Sequence, residues 1–391
     1  MGIVSALGAG VEAHREAVAT AKTGLASHRF FEGKYGADFI CGMVPQDAFP
    51  YSIEQSAGGR ANMLCEMACR QAMRQAALDK TSEGINAVGL IVGTTSSNFH
   101  GGTLYYGQKR AGQIPNVKLV SGFIPAAVAD HVAAQCNLTG RRRTVSSACA
   151  SGTTAIGHAF RLVASGRARR VIAGGVDALC PFIIAGFNSL RLLSKKHCSP
   201  FDANRDGFNA GEAAAMVVVE CSDSARTRGA KPLASILGFG EVLEAFHHTR
   251  SNPDGSGIVT VISKAMAQAG CGPGAIDHVH CHGTATAFND LSEYNGLKGI
   301  FKDRLSRIPV CSTKSMTGHT LGAAGAVSAV FAVLSLLDGI VPATLFHENL
   351  DPQFPELHVT KRPEKYRLHR VLTTSLGFGG ETASLLIEKV E

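Results

Sequence analysis

The chain has 391 residues, of which 45% are apolar and 18% are charged, and its formal net charge is +7. A mean hydropathy of +0.10 predicts a large buried interior or an oligomer interface. The basic residues are scattered and do not form a tract with interleaved aromatic residues, which argues against nucleic-acid binding. The 11 cysteines form no CxxC pair, so we expect a reducing, cytoplasmic location without a disulfide framework.

Apolar β-branched runs alternate with alanine-rich helical stretches along the chain. In chain order, the predicted elements are a helix over 63–78, a strand over 88–93, helices over 124–135 and 151–165, strands over 170–174 and 215–220, helices over 258–269 and 323–337, and strands over 371–375 and 384–388. This alternation predicts an α/β protein whose sheets are covered by helices.

The uncharged segment 320–337 has a composition that a membrane-spanning helix could also have. It is near the lower length limit for a span, and it contains Gly322 and Gly325. We therefore expect a buried core helix here and no membrane span.

Two short segments resemble each other. Residues 207–220 read GFNAGEAAAMVVVE, and residues 377–388 read GFGGETASLLIE. In both, Gly-Phe and then Gly-Glu precede an apolar strand. The similarity predicts two homologous halves, 1–225 and 226–391, although so short a match could also arise by chance.

A cysteine lies where a predicted strand turns into a helix of small residues. Cys149 stands in TVSSACASG (144–152), next to the predicted helix start. The helix dipole and free backbone N–H groups would favour the thiolate, which is the reactive form. The alternative is a structural cysteine at a tightly packed junction, and a nucleophile would need a histidine from elsewhere in the fold.

Two of the 15 histidines lie in glycine- and threonine-rich settings that are typical of a site. His282 follows the strand-like run 279–281, and His319 precedes the apolar helix. Strand ends and helix starts are where α/β folds place their chemistry.

A competing interpretation is a zinc site, because His278, His280 and His282 would share one face of a strand. No nearby carboxylate pattern and no HExxH-type spacing completes such a site. We therefore expect no metal.

Several long motifs resemble the elongating β-ketoacyl-acyl-carrier-protein synthases of the thiolase-fold superfamily. Besides the cysteine segment, they are GGVDAL (174–179), SPFDANRDGFNAGEAAAMVVVE (199–220), PDGSG (253–257), HGTATAFND (282–290), STKSMTGHTLGAAGA (312–326) and LGFGG (376–380). The resemblance covers nearly the whole chain. It implies an α/β thiolase-like fold of two pseudo-duplicated halves in a layered α-β-α-β-α architecture.

The resemblance also implies a decarboxylative condensation. Cys149 would carry the acyl group as a thioester, and His282 and His319 would hydrogen-bond the carbonyl of a malonyl thioester. Lys314 and Glu293 resemble the ion pair that supports the family's histidines. Two imidazole donors would stabilise the developing enolate, each by roughly 3 kcal/mol.

Three further residues take roles by the same resemblance. Thr284 and Thr286 match the threonines that touch the phosphopantetheine arm. The backbone N–H groups of Cys149 and Phe378 would form the oxyanion hole, and the Phe378 ring would gate the acyl pocket. Decarboxylation supplies the carbanion, so we expect no cofactor beyond the phosphopantetheine that carries the substrates.

The expected partners are an acyl carrier protein and a second ketosynthase-like chain, either an identical copy or a chain-length partner. An acidic carrier protein would meet some of the basic residues Arg191, Lys195, Lys196 and Arg205. The alternatives are a non-catalytic partner or scaffold subunit, and a zinc hydrolase built on 278–282. Because Cys149 is present, we expect the active member of any such pair.

The chain departs from the family pattern at several positions. Its first residues are MGIVSALG (1–8), where relatives usually have a full first strand upstream. Glu381 follows LGFGG where relatives often have threonine, and His280 replaces a frequent asparagine. These differences are typical of a divergent branch and favour secondary metabolism over bulk fatty acid synthesis. The sequence does not specify the acyl chain length or the starter.

Overall fold

The computed structural model describes residues 1–31, 36–49, 59–78 and 88–390. The strands are β1 (Gly2–Ser5), β2 (Gly8–Ala9), β3 (Ala26–Arg29), β4 (Asp38–Cys41), β5 (Gly89–Gly93), β6 (Arg142–Val145), β7 (Arg170–Asp177), β8 (Ala213–Glu220), β9 (Ala234–Leu243), β10 (His278–His280), β11 (Val310–Cys311), β12 (Ile340–Val341), β13 (Glu364–Lys365), β14 (Arg370–Leu376) and β15 (Glu381–Lys389). The α-helices are α1 (Val11–Ala19), α2 (Arg60–Gln75), α3 (Phe99–Arg110), α4 (Lys118–Ser121), α5 (Ala126–Gln135), α6 (Ser151–Ala164), α7 (Pro181–Ser189), α8 (Ser222–Thr227), α9 (Ser256–Ala269), α10 (Ala287–Phe301), α11 (Lys314–Thr317) and α12 (Ala324–Asp338). All ten elements predicted from the sequence are present.

Two mixed sheets have the same topology. The first has the order β2-β1-β8-β7-β5-β6, and the second has the order β11-β10-β14-β15-β9. In the first sheet β5 is parallel to β6 and β7, and β8 is antiparallel to β7 and β1. In the second, β10 is parallel to β11 and β14, and β15 is antiparallel to β14 and β9. Strands β1, β5, β6, β7 and β8 thus correspond in chain order to β9, β10, β11, β14 and β15.

Helices form three layers around these sheets. Helices α6 and α12 contact each other and strands of both sheets, while α2 and α5 cover the outer face of the first sheet and α9 covers that of the second. The result is the predicted α-β-α-β-α architecture. The two similar segments end in the corresponding strands β8 and β15. The division of the chain at residue 225 stays a prediction.

The central helix pair is built from small residues because the two helices approach closely. A Cβ atom on Gly152 of α6 would lie 2.7 Å from the backbone nitrogen of Ala326 in α12. The window Leu321–Asp338 is apolar and long enough to cross a membrane, but 83% of it is buried inside the protein. The prediction of a core helix over this segment is therefore confirmed.

Candidate active site

Cys149 lies in a tight turn between β6 and α6. The preceding residue, Ala148, has a φ of +46°, a left-handed conformation that is unfavourable for a residue with a Cβ atom. The hydroxyl groups of Thr95 and Ser151 donate hydrogen bonds to the Ala148 carbonyl at 3.0 and 2.6 Å. These contacts hold the turn, and the Cys149 side chain lines a cavity of about 470 Å³.

His319 contacts the thiol directly. Its Nε2 lies 3.1 Å from Cys149 Sγ. The backbone N–H of His319 donates to the Asn209 carbonyl at 2.7 Å, and the Phe208 ring meets the imidazole edge-on at a centroid distance of 5.0 Å. Nδ1 is buried without a hydrogen-bond partner among the described residues. Nε2 is therefore the nitrogen available for chemistry.

His282 is the second imidazole of the cavity, and its ring centroid lies 5.3 Å from that of His319. Lys314 Nζ lies 3.3 Å from His282 Nδ1 and also donates to the His282 carbonyl. An ammonium group can only donate, so Nδ1 accepts and the proton of the neutral ring resides on Nε2. This arrangement makes Nε2 a hydrogen-bond donor.

Glu293 holds the backbone of the same segment. Its carboxylate accepts the N–H groups of His282 and Gly283, each at 2.7 Å, and the Thr374 hydroxyl. The salt bridges among the described residues do not join Glu293 directly to Lys314, so the ion pair that the resemblance implies is not formed by direct contact. The two charges instead flank the His282 segment and interact across it, and Glu293 opposes the lowering of the Lys314 pKa.

Burial dominates the electrostatics of the cavity. It raises the pKa of the Cys149 thiol to about 12, against the opposing effects of the Lys314 charge and of the N–H groups of Phe378 and Cys149. The N–H groups at the helix start lower the thiol pKa, as predicted, but burial outweighs them. Burial and the Lys314 charge lower the pKa of His282 and of His319 well below the usual value. Both imidazoles are consequently neutral at neutral pH.

The 377–380 loop approaches the cysteine closely. A Cβ atom on Gly377 would lie 2.8 Å from the Ser147 carbonyl oxygen and 3.1 Å from the Cys149 nitrogen, so only glycine fits. This approach brings the Phe378 N–H to the thiol beside the N–H of Cys149 itself. Two backbone donors thus converge where an oxyanion on a Cys149 thioester would form.

The remaining predicted pocket residues also line the cavity. The hydroxyl groups of Thr284 and Thr286 lie 2.8 Å apart, and the Phe378 ring lies at its wall. Phe187 contacts the rings of both Phe208 and Phe378, with centroid distances of 5.1 and 6.1 Å. The sequence offered no signal for Phe187 or Phe208 as wall residues, because only packing brings them to the histidines.

Asp177 is a buried carboxylate beside the site that received no role from the sequence. It accepts hydrogen bonds from Thr94, Ser96 and Gly322 at 2.6 to 2.8 Å. Burial raises its pKa. It joins the loop after β5, which supports Ala148, to the turn that follows His319. In the sequence, the only indication of a role for Asp177 is its place in the GGVDAL motif.

The four predicted carrier-contact residues divide into two groups. Arg191, Lys195 and Lys196 are exposed, and Arg191 also lines the cavity. The Arg205 side chain is only 7% exposed and forms ion pairs with Asp351 and Asp290, the latter at 3.6 Å. Because these carboxylates occupy its guanidinium group, the prediction that Arg205 is available to a carrier protein is wrong.

The suspected zinc ligands do not form one group. His278 and His280 lie on the same face of β10 as predicted, but they face Cys311 on β11, whereas His282 lines the cavity. The set of three histidines is therefore not a site.

Comparisons with known proteins agree with this geometry. Residues 13–225 match the family model "Beta-ketoacyl synthase, N-terminal domain", and residues 233–348 match "Beta-ketoacyl synthase, C-terminal domain". The chain is 33% identical over 335 residues to 3-oxoacyl-[acyl-carrier-protein] synthase 2 of Staphylococcus aureus strain COL, covering 83% of this chain and 80% of that protein.

Solved structures are similar over the whole chain. One is a type II polyketide synthase acyl carrier protein in complex with its ketosynthase bound to the hexaketide, with a TM-score of 0.91, 26% identity and coverage of 100% of this chain and 98% of that chain. Another is the ketosynthase ApeO in complex with its chain length factor ApeC from Xenorhabdus doucetiae, with a TM-score of 0.89, 26% identity and coverage of 100% and 96%.

The layered fold and these matches define an acyltransferase of the condensing class with a thiolase-like fold. The two family models together span most of the residues. The chain belongs to the β-ketoacyl synthase family.

Proposed function

We propose that the chain is a β-ketoacyl-acyl-carrier-protein synthase that uses Cys149, His282 and His319 for a decarboxylative condensation. The observation that carries this proposal is the 3.1 Å contact between Cys149 Sγ and His319 Nε2, in a cavity that His282 also lines. The substrates are an acyl thioester and a malonyl thioester, both on the phosphopantetheine arm of an acyl carrier protein.

In the first half-reaction, the Cys149 sulfur attacks the acyl carbonyl carbon. Because burial disfavours a free thiolate, the thiol proton moves to His319 Nε2 in the same step. The N–H groups of Cys149 and Phe378 stabilise the tetrahedral oxyanion. The bond to the carrier's sulfur then breaks, and that sulfur leaves as a thiol with the proton from His319.

In the second half-reaction, the malonyl thioester loses CO2. The bond between its α-carbon and the carboxylate breaks, and the electron pair forms an enolate. His282 and His319, both neutral, donate hydrogen bonds from Nε2 to the enolate oxygen, His319 after its ring proton has exchanged from Nδ1 to Nε2. The enolate carbon attacks the acyl carbonyl, the new carbon–carbon bond forms, and the Cys149 thiolate leaves and takes up a proton from solvent.

This division of roles is tested by measuring the two half-reactions separately. We expect Cys149→Ala to lose acylation by acyl carrier protein while it still decarboxylates the malonyl carrier. We expect His282→Ala to become acylated but to decarboxylate roughly 100-fold to 1,000-fold more slowly, the usual effect of losing one oxyanion donor. Intact-protein mass spectrometry measures acylation, and trapped CO2 measures decarboxylation.

Cys271→Ala and His369→Ala are matched controls, because neither residue lines the cavity. Both should retain the rates of the unmodified protein. A Cys149→Ala protein that still lengthens acyl chains would refute the proposal, and so would a His282→Ala protein that decarboxylates normally.

The same site indicates the partners. Arg191, Lys195 and Lys196 are exposed, and Arg191 lies at the cavity. They form a basic rim suited to an acidic carrier protein. The ketosynthase of the Xenorhabdus structure is in complex with its chain length factor. This chain would likewise pair with a chain-length partner, or with an identical copy, and the presence of Cys149 makes it the active member.

Two further properties follow from this proposal. The residues described for the half-reactions require no metal and no cofactor besides phosphopantetheine. A reducing, cytoplasmic location is part of the proposal, and the 11 free cysteines are compatible with it.

A further inference from the structure

Three metal-ligating side chains meet in the interior, outside the cavity. His278 Nε2 and His280 Nδ1 each lie 3.6 Å from Cys311 Sγ. These three atoms all lie within 4.8 Å of one another, and all three residues are buried. The condensation proposed above uses none of them.

Neighbouring groups orient the two imidazoles toward the sulfur. His278 Nδ1 lies 2.8 Å from the Pro309 carbonyl, which can only accept, so the ring proton is on Nδ1 and the Nε2 lone pair faces Cys311. His280 Nε2 lies 3.1 Å from the Thr313 hydroxyl, which can accept its proton and leave the Nδ1 lone pair toward Cys311. Carbonyl and hydroxyl partners of this kind are typical of metal-ligating histidines.

A thiol cannot satisfy both lone pairs. The single Cys311 S–H proton can be donated to one imidazole, which leaves the other nitrogen without a donor among its described contacts. The lone pair of that nitrogen is therefore available to a metal ion.

The two sulfur–nitrogen spacings agree with coordination, and the two nitrogens lie within 4.8 Å of each other. Metal–sulfur and metal–nitrogen bonds of about 2.3 and 2.05 Å, at angles between tetrahedral and trigonal, place sulfur and nitrogen roughly 3.5–3.8 Å apart. The two observed distances of 3.6 Å lie within this range. An S–H···N hydrogen bond has a similar length, so metal binding itself must be measured.

We propose that His278, His280 and Cys311 bind one monovalent copper ion between β10 and β11. Imidazole and thiolate ligands suit soft d10 ions such as monovalent copper and zinc. The set contains one thiolate and no carboxylate, so a monovalent ion gives a neutral buried site. Zinc would leave a net positive charge near the positively charged Lys314, which is unfavourable at a buried site.

Binding is an exchange of a proton for a metal ion. The Cys311 S–H bond breaks, its proton passes to solvent, and the sulfur–copper bond forms without any change of oxidation state. The ion would connect the strands that lead to His282 and Lys314, since β10 ends at His280 and β11 ends at Cys311. Such a link stabilises the folded state in proportion to the affinity of the ion.

The test is an anaerobic titration of reduced protein against bicinchoninate-bound monovalent copper, continued until the absorbance is constant. We expect the protein to remove one copper ion per chain from bicinchoninate, and its unfolding temperature to rise. Cys311→Ala and His280→Asn should each weaken binding at least about 100-fold, more than the loss of a supporting contact. Asparagine is frequent at this position in the family, so we expect His280→Asn to fold. It therefore provides a second test if the Cys311 variant misfolds.

Cys281→Ala is the matched control, because Cys281 is a neighbouring buried thiol outside the cluster. It should bind copper as the unmodified protein does. Native mass spectrometry of protein from copper-supplemented cells detects an ion that enters only during folding. No bound copper in either experiment would overturn the proposal. Equal binding by Cys311→Ala, or tighter binding of zinc in a parallel titration, would also overturn it.

Discussion

Individual contacts determine how the two imidazoles of the site differ. Lys314 fixes the tautomer of His282 through Nδ1, whereas His319 has its only described ring hydrogen bond at Cys149. His282 is thus permanently oriented as a donor, and His319 is free to exchange a proton with the thiol. This difference explains why one ring would serve only the enolate while the other would serve both half-reactions.

The pH dependence of decarboxylation tests the role of Lys314. Burial lowers the pKa of Lys314 to about 8. Below that pH the ammonium group donates to His282, and above it the group progressively loses its charge. The decarboxylation rate should therefore be level from about pH 6.5 to 7.5 and should fall by up to roughly tenfold per pH unit once Lys314 is deprotonated.

The Lys314→Met variant provides the comparison. It should decarboxylate slowly at every pH and lack the decline above pH 8 that Lys314 is expected to cause. Rates of CO2 release from pH 6 to 10 provide the measurement for both proteins. If the decarboxylation rate of Lys314→Met declined above pH 8 in the same way, the group that titrates would not be Lys314.

A single glycine tests the oxyanion hole. In Gly377→Ala the added Cβ atom would lie 2.8 Å from the Ser147 oxygen and 3.1 Å from the Cys149 nitrogen. The loop must shift, which moves the Phe378 N–H away from the thiol. We expect acylation to slow roughly 100-fold to 1,000-fold, as for other losses of an oxyanion donor.

Stopped-flow or quench-flow acylation rates measure this effect. Gly274→Ala is the matched control, because a Cβ atom there meets nothing within 4 Å and its φ is not positive. Equal acylation rates for the two variants would exclude the Phe378 N–H as an oxyanion donor.

At the scale of elements, Arg205 joins two segments, the start of α10 and residues 351–354, at the cavity wall. Its guanidinium group pairs with Asp351 and Asp290 and lies 4.9 Å from the centroid of the Phe354 ring. Asp290 belongs to α10, whose N-terminus carries Thr286. The arginine is therefore part of the support of the pantetheine-binding segment.

Removing this arginine should destabilise the fold. Arg205→Ala leaves two buried carboxylates without their cation, and breaking a buried pair costs about 3–5 kcal/mol. The midpoint of urea denaturation measures the loss. The double variant Lys195→Glu/Lys196→Glu should unfold within about 0.5 kcal/mol of the unmodified protein but raise the KM for the carrier protein. A stable Arg205→Ala protein together with an unstable lysine double variant would contradict a structural role for Arg205 and a docking role for the lysines.

At the scale of the whole molecule, the edge of the first sheet at β6 and an apolar surface at 104–124 are candidates for an interface. Strand β6 pairs only with β5 and forms the edge of the first sheet. The segment 104–124 carries several exposed large apolar side chains, among them Ile114, which is 98% exposed, and Tyr106, which is 66% exposed. An open edge and an apolar patch are typical of an oligomer interface.

The oligomeric state tests this surface. The unmodified chain should be a dimer, with itself or with a ketosynthase-like partner, and Ile114→Asp combined with Tyr106→Asp should shift it to monomer. Light scattering after size-exclusion chromatography gives the mass. Leu243→Asp, at an exposed apolar position outside this segment, should remain dimeric. A double variant that stays dimeric would place the interface elsewhere.

The sequence alone determined the elements and most of the site. Strands and helices follow from hydrophobic periodicity over neighbouring residues, and all ten predicted elements are present. Cys149, His282 and His319 lie in motifs whose local settings, a strand–helix turn and two glycine-flanked histidines, are visible without coordinates.

The tertiary structure decided what depends on residues that are distant in the chain. Burial raises the pKa of Cys149 to about 12, which a local argument from the helix dipole could not predict. Packing pairs Arg205 with Asp351, separates Lys314 from Glu293, and brings Cys311 to His278 and His280. Desolvation and side-chain contacts depend on all the residues that surround a group, and these come from several helices, strands and loops. A sequence pattern describes only the residues of one such element.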